Sequence, residues 1–258
     1  MSLSDRQETI LDLIRSESRV EVDDLSERFS VTTQTIRRDL TDICDRGLAT
    51  RTHGGARKLV SAASLAYEDR RAQNTKVKAR IGQAAADLIP DHASVSLNIG
   101  TTTEQVAAAL ATHQGLTVIS NNINIVHILR EARLAGMIVA GGTVRQTDGA
   151  IVGAEAVEFM SNYKADFAVI GTSSIDADGA ILDFDDREVA VARAILKNAR
   201  QKILVTDHSK FERAAPHRIC DVADLDVVIT DQTPPSSFSK AAEDAGTRLI
   251  VLDQTHDR

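Results

Sequence analysis

The chain has 258 residues, 43% hydrophobic but only 3% aromatic, so its core is built from alanine, valine, isoleucine and leucine, as in parallel α/β proteins. A formal net charge of -7 argues against a general polyanion binder, and two distant cysteines, Cys44 and Cys220, argue against a disulfide framework or a zinc site. No stretch approaches the roughly 20 apolar residues of a membrane helix, and the opening Met1–Arg6 is no signal peptide; the expectation is a cytoplasmic protein with no metal, cofactor or membrane partner.

Charge is unevenly spread. Residues 1–30 hold four arginines against eight acids, whereas residues 31–58 hold Arg37, Arg38, Arg46, Arg51, Arg57 and Lys58 against Asp39, Asp42 and Asp45. A local basic stretch in an acidic chain is a footprint for phosphate contact. Ser4 can cap a first helix with Ile10, Leu11, Leu13 and Ile14 on one face. After the short segment Arg19–Val22, residues 23–29 form a second helix with Leu25 and Phe29 inward. Ser30-Val31 turns, and Thr32 caps a third helix through Asp45 that Gly47 ends. A short helix, a tight turn and a second helix make a helix-turn-helix, whose second member enters the major groove N-terminus first. That end carries Thr33, Gln34 and Thr35, then Arg37 and Arg38, donors and acceptors suited to base edges and phosphates. An ordinary capped, solvated helix has the same spacing. Residues 48–59 then alternate as a β-hairpin around Gly54-Gly55. A basic hairpin after such a helix is a wing, with Arg51 and His53 beside the DNA backbone or minor groove; His53 alone is also compatible with a neutral surface histidine.

The runs Phe29 to Leu40 and Arg51-Thr52-His53-Gly54-Gly55-Ala56 resemble the DNA-binding signature of the DeoR family of repressors. The resemblance implies that the helix from Thr32 reads operator DNA, and that Asp39 holds arginine side chains rather than touching DNA.

Residues 60–75 lose periodicity and are expected as a linker between a winged helix-turn-helix domain, 1–59, and an α/β domain, 76–258. A helix from Lys76 to Ile89 stops at Pro90. Short β-branched runs at 93–99, 116–120, 137–140, 167–170, 202–206, 227–230 and 248–252 then alternate with helical stretches at 103–110, 123–131, 154–161, 188–199 and 237–245. Such alternation predicts a mostly parallel sheet, with ligands bound at the carboxyl ends of its strands.

Those ends carry the unusual residues. Asn98-Ile99-Gly100-Thr101-Thr102 can turn into a helix N-terminus suited to an anion. Ser120-Asn121-Asn122, Gly141-Gly142, Gly171–Ser174 with Asp178-Gly179, and Asp207–Phe211 end four further strands. Any one is compatible with ordinary loop chemistry; five together point to a shared pocket. The same set resembles the effector domain of the DeoR family, itself similar to ribose-phosphate isomerase. The resemblance implies a phosphorylated effector that lifts repression, and a homo-oligomer, dimer or tetramer, matching two operator half-sites. Asn121–Asn124, Leu182–Asp185 and Asp207–Phe211 are most similar to the branch answering to glycerol 3-phosphate. The candidate roles are phosphate for Gly100, Thr101, Thr102 and Lys210; ligand hydroxyls for Asn98, Asn121, Asp178 and Glu188; and a pocket lining from Gly141 and Gly142. The family pattern has Asp at Asn98 and often Lys at Ala192. Two alternatives stand beside this one: another sugar-phosphate effector, or an isomerase-like enzyme, against which Asn98 and the fused DNA-binding domain argue.

Overall fold

The computed structural model describes residues 3–17, 19–46, 48–52, 54–58, 62–211 and 214–252. The chain divides into two compact units, Met1–Leu65 and Ala66–Arg258.

The smaller unit runs α1 (Asp5–Glu17), β1 (Arg19–Glu21), α2 (Val22–Phe29), α3 (Thr33–Asp45), β2 (Ala49–Arg51) and β3 (Gly55–Lys58). Its core joins Ile10, Leu11 and Ile14 of α1 to Leu25 of α2 and to Ile36, Leu40 and Ile43 of α3. Ser30 makes the turn by taking left-handed backbone, φ 51°, so that its N–H and that of Val31 close on Glu27 and Ser26 carbonyls that α2 would otherwise leave open. Thr32 caps α3 by accepting from the Thr35 N–H at 3.2 Å. The expected hairpin supplies two strands of a three-stranded antiparallel sheet, order β1-β3-β2. The segment at 19–21 therefore closes the wing root. Gly55 is required there: a Cβ would lie 1.9 Å from the Val20 carbonyl oxygen. The expected stop at Gly47 lies outside the described residues.

The expected linker is instead largely helical. Helix α4 (Ala62–Ala72) leads into α5 (Thr75–Ala86), and from Ala66 onward the chain belongs to the larger unit. Its alanines and charged residues left the helical stripe too faint to read from sequence.

Then follow β4 (Ser94–Leu97), α6 (Thr101–Leu110), β5 (Thr117–Ser120), α7 (Ile123–Leu129), β6 (Gly136–Val139), β7 (Val144–Arg145), β8 (Ala150–Ile151), α8 (Ala154–Ser161), β9 (Ala165–Ile170), β10 (Ser174–Ile175), β11 (Ala180–Asp183), α9 (Asp186–Lys197), β12 (Ala199–Val205), β13 (His217–Asp221), β14 (Val227–Thr230), α10 (Ser236–Ala245) and β15 (Arg248–Val251). Seven parallel strands form the central sheet in the order β15-β14-β12-β9-β4-β5-β6. Alternate residues feed the two faces. Val95, Leu97, Val169 and Ile203 pack against α5, α6 and α7, while Ala168, Ile170, Leu204 and Val228 pack against α8, α9 and α10. A second sheet, antiparallel in the order β10-β11-β13, and the β7–β8 hairpin were not expected. Strand order reverses between β4 and β9, and that switch point is where open α/β sheets hold ligands.

Candidate functional site

Two places in the chain carry chemistry. The first is the outer face of α3, where Gln34, Arg37, Arg38 and Thr41 share one shallow groove with Asp42. Gln34, Arg37 and Arg38 are exposed, Thr33 and Thr35 half-buried at the helix start, and Arg51 is exposed at the end of β2. Thr41, four residues beyond Arg37, was not singled out from the sequence. Asp39 is turned inward: it is buried and accepts from Arg6 Nε at 2.7 Å and from Gln7 Nε2 at 3.3 Å. Its role is to tie α1 to α3, so the arginine it holds is Arg6. The expected contact from His53 lies outside the described residues.

The second place is a small, partly open cleft at the β4–β9 switch point. The turn after β4 supplies Asn98 through Thr102, and the turn after β9 supplies Gly171, Thr172 and Ser173. Asp183, Glu188, Ala192, Lys210 and Arg70 complete the ring. Gly100 has φ 137° and ψ 150°, backbone that L side chains rarely adopt, and this places α6 with its first N–H groups at the cleft. Those groups, the Thr101 and Thr102 hydroxyls and the two cations make one wall attractive to an anion. Carboxylates of Asp183 and Glu188 make the other wall accepting. The Asn98 side-chain oxygen, Oδ1, accepts from the Ile99 N–H at 2.7 Å, so one of its two acceptor positions is already taken.

Six of the ten expected effector residues therefore meet in one cleft: Asn98, Gly100, Thr101, Thr102, Glu188 and Lys210. Four do not. Asn121 is fully buried and donates to the Ile151 carbonyl at 3.0 Å, holding β8 to the end of β5. Asp178 sits exposed in the β10–β11 turn, bonding the Ala180 N–H at 3.0 Å with Arg218 at 3.7 Å. Gly141 and Gly142 follow β6, two strands from the switch point, and do not line the cleft. A strand end alone does not say which strand lies next to the switch.

Sequence reasoning missed Arg70, Asp183 and Arg145. Arg145, from the β7–β8 hairpin, pairs with Glu188, with Asp148 and, at 2.9 Å, with Asp185. Tyr67-Glu68-Asp69-Arg70-Arg71 was the available signal for Arg70: a dense charge run beside an aromatic in a supposed linker. Nothing in the neighbourhood of Arg145 marks it in advance.

Burial, reinforced by Asp183 and opposed by Arg145, pushes the Glu188 carboxyl up to about 7. The folded state therefore holds this proton more tightly than the unfolded chain does. That stability is fully present below the unfolded value of 4.5 and is lost as pH rises through about 7, a change of about 3 kcal/mol. Glu188→Gln is expected to remove this component, so the gap in thermal midpoint between pH 5 and pH 8 narrows. An unaltered gap in parallel melts rules out this account.

Among the described residues no cluster of three histidine, cysteine, aspartate or glutamate residues is placed to hold a metal ion, and no helix is long and apolar enough to cross a membrane.

Comparison with known proteins gives a consistent result. Residues 6–61 match the model of the DeoR-like helix-turn-helix domain, and residues 73–232 that of the DeoR C terminal sensor domain. The glycerol-3-phosphate regulon repressor of Escherichia coli K12 is 39% identical over 249 residues, covering 96% of this chain and 99% of that protein. Its namesake in Haemophilus influenzae is 41% identical over 253 residues, 98% of each chain. The HTH-type transcriptional repressor CsqR of E. coli is 35% identical over 246 residues, covering 95% and 94%. Among solved structures, ribose 5-phosphate isomerase A of Methanocaldococcus jannaschii has a TM-score of 0.40 at 13% identity, over 54% of this chain and 55% of that one.

Proposed function

The chain belongs to the DeoR family, and from that premise we propose a cytoplasmic transcriptional repressor released from its operator by a phosphorylated metabolite, glycerol 3-phosphate. It is a regulator rather than an enzyme. The observation that carries the effector reading is the division of the switch-point cleft. Gly100–Thr102, Lys210 and Arg70 suit a phosphoryl group, while Asp183 and Glu188 suit the hydroxyls of a small polyol. On the DNA side, Thr33, Gln34, Thr35, Arg37 and Arg38 would enter the major groove, with Arg51 and His53 beside the backbone or minor groove. Two such units on one operator need a homo-oligomer, a dimer or a tetramer.

Repression and effector binding are then linked through a coupling of roughly 1–3 kcal/mol, the usual size for two sites in one protein. The test is a thermal-shift series with glycerol 3-phosphate, ribose 5-phosphate, deoxyribose 5-phosphate and fructose 1-phosphate. Glycerol 3-phosphate is expected to raise the midpoint most. A larger rise with one of the others replaces it as the effector.

A further inference from the structure

We propose that helix α4 carries the cleft's occupancy toward the DNA-reading unit: Arg70 takes part of the ligand's anionic group, and Tyr67 fixes the helix to the element that cradles the rest. This deepens the effector reading above and rests on it. The connection is short, because only residues 59–61 separate α4 from β3, the middle strand of the wing sheet.

Arg70 lines the cleft, and one turn before it Tyr67 is buried. The Tyr67 hydroxyl donates to Glu104 Oε1 at 2.7 Å and accepts from Asn124 Nδ2 at 2.8 Å. Asn124 also donates to Glu104, at 2.9 Å, and Asn122 does so at 3.3 Å. Glu104 is itself buried in the first turn of α6, whose opening residues Thr101 and Thr102 line the cleft. A second set of ties reaches the turn that carries Lys210. Buried Lys78 donates to the Arg70 carbonyl in the last turn of α4. Asn74 donates to Asp207 Oδ1 at 3.4 Å, and Asp207 caps the turn that presents Lys210 by accepting from the Ser209 N–H at 3.0 Å.

The end of α4 is thus fastened to both elements that would close on a phosphoryl group. With 11 residues it is too short to be stable by itself, so its length and direction depend on these ties. Each tie ends on a buried charge, where a small displacement leaves a charged group short of a partner. Drawing α6 and Lys210 toward one ligand therefore changes α4, the helix that follows the wing sheet in the chain.

The test uses the full chain, glycerol 3-phosphate as ligand, and a duplex selected from a random pool by the wild-type protein. Arg70→Ala is expected to weaken glycerol 3-phosphate binding at least about tenfold, with Arg70→Lys recovering part of it, because a charge-assisted contact is lost. Duplex affinity without ligand should stay as in wild type. Tyr67→Phe is expected to bind glycerol 3-phosphate as wild type does while the ligand's effect on duplex affinity falls at least about fivefold. Hydrogen exchange of the wild type should show the amides of α4 changing on saturation, a readout that stands even where Tyr67→Phe does not fold. Lys210→Ala separates the layers. If it loses binding while Arg70→Ala binds like wild type, the cleft reading stands and the Arg70 assignment is overturned. If Tyr67→Phe releases DNA like wild type, or exchange in α4 is indifferent to ligand, the transmission role is overturned. If the wild type binds neither glycerol 3-phosphate nor inorganic phosphate, the effector reading fails and this inference with it.

Discussion

Replacing Arg37 and Arg38 together by alanine is expected to abolish operator binding at physiological salt while leaving effector binding intact. Both side chains are exposed on the outer face of α3, away from the Ile36, Leu40 and Ile43 stripe that holds the unit together, so the fold should survive. An arginine paired to guanine supplies about 1–3 kcal/mol of discrimination, and each phosphate contact adds roughly 0.9 to the salt slope of binding. Losing two such contacts costs on the order of 100-fold or more in affinity, with a shallower dependence on salt. Gel-shift titrations at three salt concentrations read both quantities. Wild-type affinity and slope in the double variant would falsify the recognition-helix assignment. The neighbouring Asp39→Ala belongs to a different class: it strips Arg6 and Gln7 of a shared acceptor between α1 and α3, so its damage falls on stability.

Gly100→Ala should produce the complementary defect, a repressor that still holds DNA but no longer answers its effector. At φ 137° and ψ 150° the backbone sits where a side chain costs of order 1–3 kcal/mol, and the added Cβ would lie 3.4 Å from Thr103 Oγ1. The strain is relieved by turning the peptide, which takes the first N–H groups of α6 out of line with the cleft. Effector affinity is expected to drop roughly 10- to 100-fold by isothermal titration, while duplex binding without effector is unchanged. If Gly100→Ala binds glycerol 3-phosphate like wild type, the helix start is not the anion site.

The two halves of the chain differ in how much of them the sequence discloses. In the first three helices the apolar stripes are clear, Ser4 and Thr32 cap α1 and α3, and Leu40 and Ile43 sit where the periodicity puts them. The seven parallel strands were legible for the same reason: each is a β-branched run between polar turns. Three things were not. The sheet order, which alone separates Gly100 from Gly141, comes from long-range pairing that no local pattern encodes. Strands as short as Ser174–Ile175 are held by their partners rather than by propensity. And α4 has side chains too small or too polar to draw a stripe, so its helicity and the place of Arg70 come from contacts with α5 and α6. Asn121 shows the limit for individual residues: its strand-end position was visible, but the direction of its side chain, toward Ile151, was not.

The network around Tyr67 also has an optical consequence. The chain contains no tryptophan and two tyrosines, Tyr67 and Tyr163. Half of the tyrosine ultraviolet signal therefore originates at the anchor of α4, from a phenol hydrogen-bonded to a buried carboxylate. The protein carries its own unlabelled reporter at that joint, and Tyr163→Phe would leave its absorption and emission to Tyr67 alone.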